Sequence, residues 1–339
     1  GSQCASNIGP YAVCQITGDK IASYTYDANG NLESLTYSNG VKHTWTYDSQ
    51  NRLKDLIVRN AAFTTLKSYA YTLQASGHRT QVVENTGRTV GYTLDNQYRL
   101  TQETITGDPN VVNGTSDWEY DLVGNRLTQQ TDLAGLLNQS ETYSGNNWLD
   151  SDAYDSNGNT IESSAVLQPA SILQDSYDWR NRLIRRENTD GTIIEIVYDG
   201  YGDRIKKTVS SLSSPPSSFE NTWFLVDRNN LTGYAQVVEE IGQGDELQVI
   251  YSYGLDLISQ DRRDDDGSGN FTQHFYLYDG LGSVRALCDS SGVVTDTYTY
   301  DAWGVEVHST GTTVNAYRFT GEQWDDDLQM VFLRARYLN

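Results

Sequence analysis

Three observations predict an all-β fold of tandem antiparallel hairpins, stacked in chain order. A pattern of the form Tyr-x-Tyr-Asp-x-x-Gly-Asn-Arg-Leu recurs along the 339 residues. Tyrosine outnumbers phenylalanine 24 to 7, which suits half-wet sheet faces better than a dry core. The hydrophobic share is 37% with tyrosine counted in it, against about 45–50% in ordinary soluble domains with glycine counted instead. Exchanging 29 Gly for 24 Tyr hardly moves the total, so the chain is poor in core-forming residues. It is still rich in aromatics and strand formers, which argues against disorder. A thin sheet with much surface per residue reconciles the two, and a thick two-layer core is not expected.

The repeat is legible copy by copy. YTYDANGNL starts at Tyr24, WTYDSQNRL at Trp45, WEYDLVGNRL at Trp118, DAYDSNGNT at Asp152, SYDWRNRL at Ser176 and IVYDGYGDRI at Ile196. These place Tyr-Asp pairs at Tyr26-Asp27, Tyr47-Asp48, Tyr120-Asp121, Tyr154-Asp155, Tyr177-Asp178 and Tyr198-Asp199. Degenerate copies from Tyr71 and Tyr92 keep the register. The residue before the Asp slot stands at 26, 47, 73, 94, 120, 154, 177 and 198, with gaps of 21, 26, 21, 26, 34, 23 and 21. A recurring minimum of 21 with longer excursions is one fixed hairpin module with variable loops.

Each part of the unit has a physical role. In Tyr24-Thr25-Tyr26 the two rings alternate onto one face of a strand. Asp27 ends the strand by accepting turn N–H groups. Gly30 and Asn31 are expected to supply the left-handed backbone of the reversal, and Leu32 starts the return strand. Arginine recurs near that point as Arg52, Arg79, Arg99, Arg126, Arg182 and Arg204. Stacked hairpins would then set tyrosines in ladders and arginines beside the turn aspartates, each cross-strand pair contributing a few tenths to ~1 kcal/mol. These pairs read as frame, not as catalytic groups.

A Ser/Pro-biased stretch, residues 211–220, cannot hold a central strand, because proline donates no ladder hydrogen bond. It reads as a surface loop within one continuous sheet. The organisation expected is an N-terminal extension over 1–20, a repeat array over 21–210, this loop, and a second region over 221–339. Altered units resume there at Tyr278-Asp279 and Tyr300-Asp301.

Charge narrows the partners. The balance is 24 basic against 45 acidic residues, a net −21 with a pI near 4.4. Such a surface repels phosphate backbones and anionic headgroups, so nucleic acid is not expected as a partner. No apolar run reaches the ~20 residues of a spanning helix, so membrane insertion is not expected either. Cys4 and Cys14 either pair across a short loop or are ordinary buried cysteines, and Cys288 sits in a strand-like run where burial is expected. The four histidines (His43, His78, His274, His308) show no metal-ligand spacing. Asp264-Asp265-Asp266-Gly267-Ser268-Gly269-Asn270 clusters oxygen ligands, but Phe275 stands where a calcium loop needs its bidentate glutamate; a solvated hairpin turn is the reading. Asp325, Asp326 and Asp327 read as an acidic turn. No nucleotide-binding, nucleophile-elbow or metal motif is present, so neither cofactor nor metal site is expected.

The segments YLYDGLGSVRAL, YTYDAWG and YRFTGEQWDDDLQMVFLRARYLN complete a resemblance that covers almost the whole chain. With the eight spaced units, they resemble the YD-repeat or Rhs family and its repeat-associated core, carried here by Gly282, Arg285, Trp303, Gly304, Arg318, Phe319, Gly321, Arg334, Arg336 and Tyr337. The family includes the shell subunits of bacterial Tc toxins and the teneurin receptors. The resemblance implies a curved, spiralling sheet that forms a hollow shell. In the toxin branch the shell holds a C-terminal cargo of the same polypeptide, released inside by an aspartic self-protease of the core. Residues of that protease would follow the Arg-Ala-Arg-Tyr motif and have no counterpart before Asn339, and Met330 to Leu333 and Leu338-Asn339 depart from the pattern. The chain is therefore expected not to cleave itself.

Two functions are open at this level. The first is a secreted or cell-surface scaffold that encloses a C-terminal toxin or effector cargo. The alternative is an extracellular adhesion module whose exposed tyrosines stack on glycans or surface proteins.

Overall fold

A computed structural model describes residues 21–163, 172–211, 219–334 and 336–338. Cys4 and Cys14 lie outside the described residues. An 11-stranded sheet and a 14-stranded sheet follow one another, and in both every strand pairs with its sequence neighbour. A three-stranded sheet, Gln323–Asp325, Met330–Phe332 and Tyr337–Leu338, closes the chain. The described architecture is the predicted all-β ribbon of consecutive antiparallel hairpins.

The hairpin turn explains the Tyr-Asp unit in detail. Asp27 N–H donates to Asn31 O, and Gly30 N–H donates to Asp27 O. The Asp27 carboxylate accepts the N–H groups of Asn29 and Asn31 on one oxygen and the Asn31 side chain on the other, at 2.8–2.9 Å. The return strand is offset by a bulge between Thr25 and Tyr26. This is a three-residue reversal whose last residue must be left-handed. Gly30 fills that slot at φ 85°, Asn51 at 59° and Asn181 at 58°. Asn31, expected to be left-handed, instead opens the return strand and clamps the aspartate. Bonds from the Asn31 side chain and backbone hold the Asp27 carboxyl below the usual carboxylate range, and those from the Arg52 backbone do the same for Asp48.

The arginines divide by parity. Arg52, Arg99 and Arg182 occupy the Asn31 position and bind their own turn aspartates, Asp48, Asp95 and Asp178. They and the asparagines also tie neighbouring turns together: Arg52 to Gln74 O, Arg99 to Asp121 O, Asn125 to the Asn147 side chain. Arg79, Arg126 and Arg204 come one residue later and so leave by the other face. Arg79 covers Tyr71 and Tyr92, and Arg126 covers Trp303. The expectation that all six sit beside turn aspartates therefore holds for three.

The tyrosine of the unit binds one hairpin to the previous one. Tyr47 OH donates to Leu32 O, Tyr120 to Leu100 O, Tyr177 to Thr160 O, Tyr198 to Leu183 O, Tyr278 to Leu257 O and Tyr300 to Val284 O. Each acceptor is the first or second return residue of the preceding turn, beyond the end of the inter-hairpin ladder. That ladder begins at Ser34, Gln102, Arg185 and Ala286 in four of these cases. A buried carbonyl left there would lack a partner, and the tyrosine ring lies flat across the strand while its hydroxyl donates to it. Tyr143 does the same to Arg126 O, which exposes a unit hidden in the 34-residue gap: Ser144 replaces the aspartate and Asn147 is left-handed at φ 61°.

Two expectations change. The ribbon is not one sheet: it is interrupted between Ser140 and Asp152, where Tyr143 and Leu149 form an isolated bridge. The strands on either side of the 212–218 segment, Arg204–Ser211 and Phe219–Asp227, pair with each other. The sheet is also not thin throughout. Strands Leu257–Arg263, Phe271–Tyr278 and Val284–Cys288 bury both faces. One face, with Ile258, Phe275, Leu277, Ala286 and Cys288, packs on Leu35, Tyr37, Val41 and Val58 of the first sheet. The other, with Tyr276, Tyr278 and Leu287, packs on Tyr317 and Phe319. Asp264–Asn270 is the hairpin turn between two of these strands.

Removing one tyrosine hydroxyl should be measurable. Tyr198→Phe is expected to lower stability by about 1 kcal/mol, read as a lower urea midpoint at unchanged slope, while Tyr201→Phe, exposed at a turn tip, leaves the midpoint in place. His43 offers a pH test. Its ring is fully buried between Tyr37 and Trp45, neither nitrogen has a hydrogen-bond partner among the described residues, and burial pushes its pKa down to about 3. Below its ordinary value near 6.5 the unfolded chain takes up a proton that the folded chain refuses. Relative to His43→Phe, the native chain should therefore lose stability as pH falls from 6.5 toward 3, by at most about 1.4 kcal/mol per pH unit; parallel curves for the two proteins would refute this.

Candidate functional site

Two sets of contacts shape the C-terminal half: a seam between the sheets, and the packing on the ribbon of a C-terminal segment, residues 311–334 and 336–338, here named the plug for its position at the end of the chain. At the seam, turns of the second sheet offer backbone N–H groups to side chains of the first. Leu255 N–H donates to Tyr24 OH at 3.1 Å, Gly280 N–H to Tyr71 OH at 2.7 Å and Ala302 N–H to a Glu103 oxygen at 3.0 Å. Each donor lies in the turn that follows a tyrosine of the repeat. Tyr37 OH adds a bond to Tyr276 O at 2.7 Å.

Buried charges fix the seam. Glu84 accepts from Arg88 at 2.8 Å and from Arg285 at 2.9 Å; Arg88 also pairs with Asp108 at 3.0 Å, and Arg285 with Asp279 at 3.3 Å. Burial would raise the Glu84 pKa, but the two guanidinium groups overcome it and hold the carboxyl below its ordinary range. Glu103 behaves oppositely. Burial, with the charge of Asp301 nearby, lifts it to about 7, and burial raises Asp301 as well.

The plug joins the ribbon at two places. First, the turn Phe319–Gly321 sits between the turns that follow Tyr278 and Tyr300. Val284 N–H donates to Arg318 O at 2.9 Å, Thr320 N–H donates to Ser283 Oγ at 3.0 Å, and Gly321 lies against Gly282 O. Gly304 must be glycine, because any side chain there would overlap the Phe319 ring. Arg318 pairs with Glu306 at 3.2 Å. Second, Arg204 reaches in from the repeat array. Its guanidinium donates to Asp325 at 2.6 Å, Tyr337 OH at 2.9 Å and Gln323 at 2.8 Å, sandwiched by Phe224 and Phe332 at 4.4 and 4.2 Å. Lys207 takes the other Asp325 oxygen at 2.8 Å. Burial opposes the Asp325 charge, yet Lys207 and Arg204 keep its pKa below the usual range. Arg186, paired with Asp175, donates to Leu328 O at 2.9 Å.

The residues singled out from sequence thus fall into three groups. Tyr278, Asp279, Gly282, Arg285, Tyr300, Asp301, Trp303, Gly304, Arg318, Phe319 and Gly321 converge on the seam and the first plug contact, with Trp303 stacked edge-on to Trp118 at 6.0 Å. Tyr337 joins the second contact, and Arg334 pairs with Glu322 at 3.1 Å. Arg336 is exposed. The Tyr-Asp pairs from Tyr26-Asp27 to Tyr198-Asp199 stay in the ribbon. Asp325 is a correction: read as part of an acidic turn, it is a buried strand-end carboxylate, and only Asp326 and Asp327 belong to the turn. Arg204, read as a repeat arginine beside a turn aspartate, meets Asp325 instead, and Arg186, Glu84, Arg88 and Glu103 were not singled out from sequence. The one available signal was parity, since Arg204 stands one residue past the aspartate-clamping slot.

Asp325→Asn leaves two buried cations facing a neutral amide. It is expected to cost about 3–5 kcal/mol, seen as faster amide exchange across 311–338 with the turns at Asp48 and Asp121 unchanged.

Residues 26–62 match the RHS Repeat family. The tRNA3(Ser)-specific nuclease WapA of Bacillus spizizenii is 26% identical over 339 residues, covering 93% of this chain and 13% of that protein. The tRNA nuclease WapA of Bacillus subtilis strain 168 is 26% identical over 332 residues with the same coverages. The chain thus spans 13% of the length of these curated relatives. Among solved structures, TcdB2-TccC3-Cdc42 superposes with a TM-score of 0.74 at 16% identity, covering 95% of this chain and 18% of that one. TcdB2-TccC3 without its hypervariable C-terminal region gives 0.73 at 16% identity, covering 93% and 17%. The chain therefore carries an RHS Repeat over residues 26–62 and shares, over nearly its whole length, the fold seen in the TcdB2-TccC3 structures.

Proposed function

We propose that this chain is a wall-and-plug segment of a secreted shell that encloses a C-terminal toxin or effector cargo carried by the same polypeptide. The observation that carries the reading is the plug: residues 311–338 fold back onto the ribbon through buried charges, Arg204 with Asp325 above all. Burying unpaired charge is costly, so this arrangement holds the end of the ribbon in one position and suits a closure. The repeat and fold similarities support a toxin-related shell. In this reading the segment is architectural, and the nuclease activity named for the relatives would belong to cargo outside it. No helix among the described residues is long and apolar enough to cross a membrane.

The test uses the native-length protein, expressed through its natural C-terminus. Intact masses under denaturing conditions are compared with a native size-exclusion profile. Two denatured masses that co-elute as one native particle are expected, cut cargo retained in its shell. A single uncut chain, or a C-terminal piece released from the particle, would overturn the proposal.

A further inference from the structure

Glu103 and Asp301 are brought together from opposite sides of the seam. Glu103 lies on the first-sheet strand Leu100–Thr106, in register with Tyr92 and Ser116 of the strands on either side. Asp301 opens the second-sheet turn 301–305. Both are buried, at 1% and 3% exposure, and the N–H of Ala302 ties the turn to a Glu103 oxygen at 3.0 Å. A cleft of about 230 Å³ between the sheets reaches Asp301 and Ala302, which gives protons access to the pair.

No cation answers these two carboxylates. Arg88 is committed to Glu84, Asp108 and Tyr300 O, and Arg285 to Glu84 and Asp279. Arg79 lies over the rings of Tyr71 and Tyr92. Arg126 lies over Trp303 and bonds to Gln139. Neither Glu103 nor Asp301 forms an ion pair among the described residues. One Asp301 oxygen accepts the N–H groups of Trp303 and Val305 at 2.9 Å, and the other has no hydrogen-bond partner there. Burial raises the phenols of Tyr92 and Tyr300, which stay neutral. Two imidazoles belong to the elements packed here. His78 lines the cleft, bonded to Ser76 and stacked on Tyr98, and His308 pairs in register with Thr299.

Two carboxylates taken out of water without a cation cannot both stay charged at low cost. The turn and the strand that carry them belong to different sheets, so the cost falls on the docking of one sheet on the other. We infer that the Glu103–Asp301 pair is a pH-sensitive latch: a proton shared by the pair keeps the seam closed in acid, and its loss at neutral pH frees the 301–305 turn to lift from the first sheet. Parting the seam returns Glu103 to water and from about 7 to its ordinary value of 4.5, so the closed seam binds a proton that the open one gives up. Between those values the opening constant therefore rises with pH by up to about tenfold per unit, and above them it levels off. The signal needs no ligand, only transfer from an acidic to a neutral medium.

Amide exchange of the full chain between about pH 5 and 8.5, corrected for the intrinsic rate, tests this at the 301–305 amides. Protection there is expected to fall up to neutrality and then hold level, while the 48–52 turn shows no such trend. Glu103→Gln supplies a neutral amide whose carbonyl can still accept from Ala302. It is expected to slow exchange of the 301–305 turn on the order of a hundredfold at pH 8 and less than about fivefold at pH 5. Asp301→Asn preserves the turn, since Asn60 accepts the same pattern of N–H groups at 60–64, and it removes the neighbouring charge; a reduced pH dependence is expected. His43 responds to pH in the opposite sense, but it is common to all three proteins and cancels in the comparison. Parallel pH profiles for the native chain and both variants, protection that rises with pH, or an equal fall in the 48–52 turn would each overturn the latch.

Discussion

The hydroxyl that a repeat tyrosine donates to the carbonyl behind the previous turn is the bond on which the ribbon depends. Within a hairpin, the bulged turn and its aspartate clamp are self-sufficient. Between hairpins the strand ladder stops short of the turn, and the carbonyl just past it would otherwise be stranded. Seven tyrosines make this bond among the described residues. At about 1 kcal/mol each, their sum is comparable to the whole stability of an ordinary domain, about 5–15 kcal/mol. A phenylalanine would fill the same space and leave the carbonyl unpaired. The excess of tyrosine over phenylalanine follows from that requirement.

Aspartate and its partner four residues on add a second line of contacts along the turn edge. Where the partner is asparagine, as in Asn125, it reaches the next left-handed residue; the arginines Arg52 and Arg99 reach the next turn carbonyl. The turn edge is therefore linked in its own right, independent of the strands.

The docking of the second sheet on the first is electrostatically selective. Glu84 and Asp325 remain charged because each is met by two cations, whereas Glu103 and Asp301 crowd two acids into one buried region. The first arrangement holds elements together at any ordinary pH. The second is tolerated because Glu103 binds protons near neutrality and Ala302 N–H meets its oxygen. The seam thus uses both solutions, and the plug the first, to meet the same cost, that of removing a carboxylate from water.

Sequence by itself determined the hairpin. The turn, its aspartate, the left-handed residue and the alternation of rings all lie within about ten residues of one another, so local chemistry specifies them and their recurrence reveals the architecture. One copy escaped because Tyr143-Ser144 lacks the aspartate, although its spacing of 23 from Tyr120 fits the module. Tertiary structure alone decided which face each residue meets. Arg52 and Arg204 look alike in the chain, yet one step of strand alternation sends the first to its own Asp48 and the second to Asp325, 121 residues away. The same holds for Glu84 and Arg285, 201 residues apart, and for the doubly buried strands that contradict a thin sheet. Composition averages over the chain and cannot locate where a ribbon folds back on itself. Pairings of buried charge across such distances depend on how the whole ribbon curves, and that is a property of the assembled sheets.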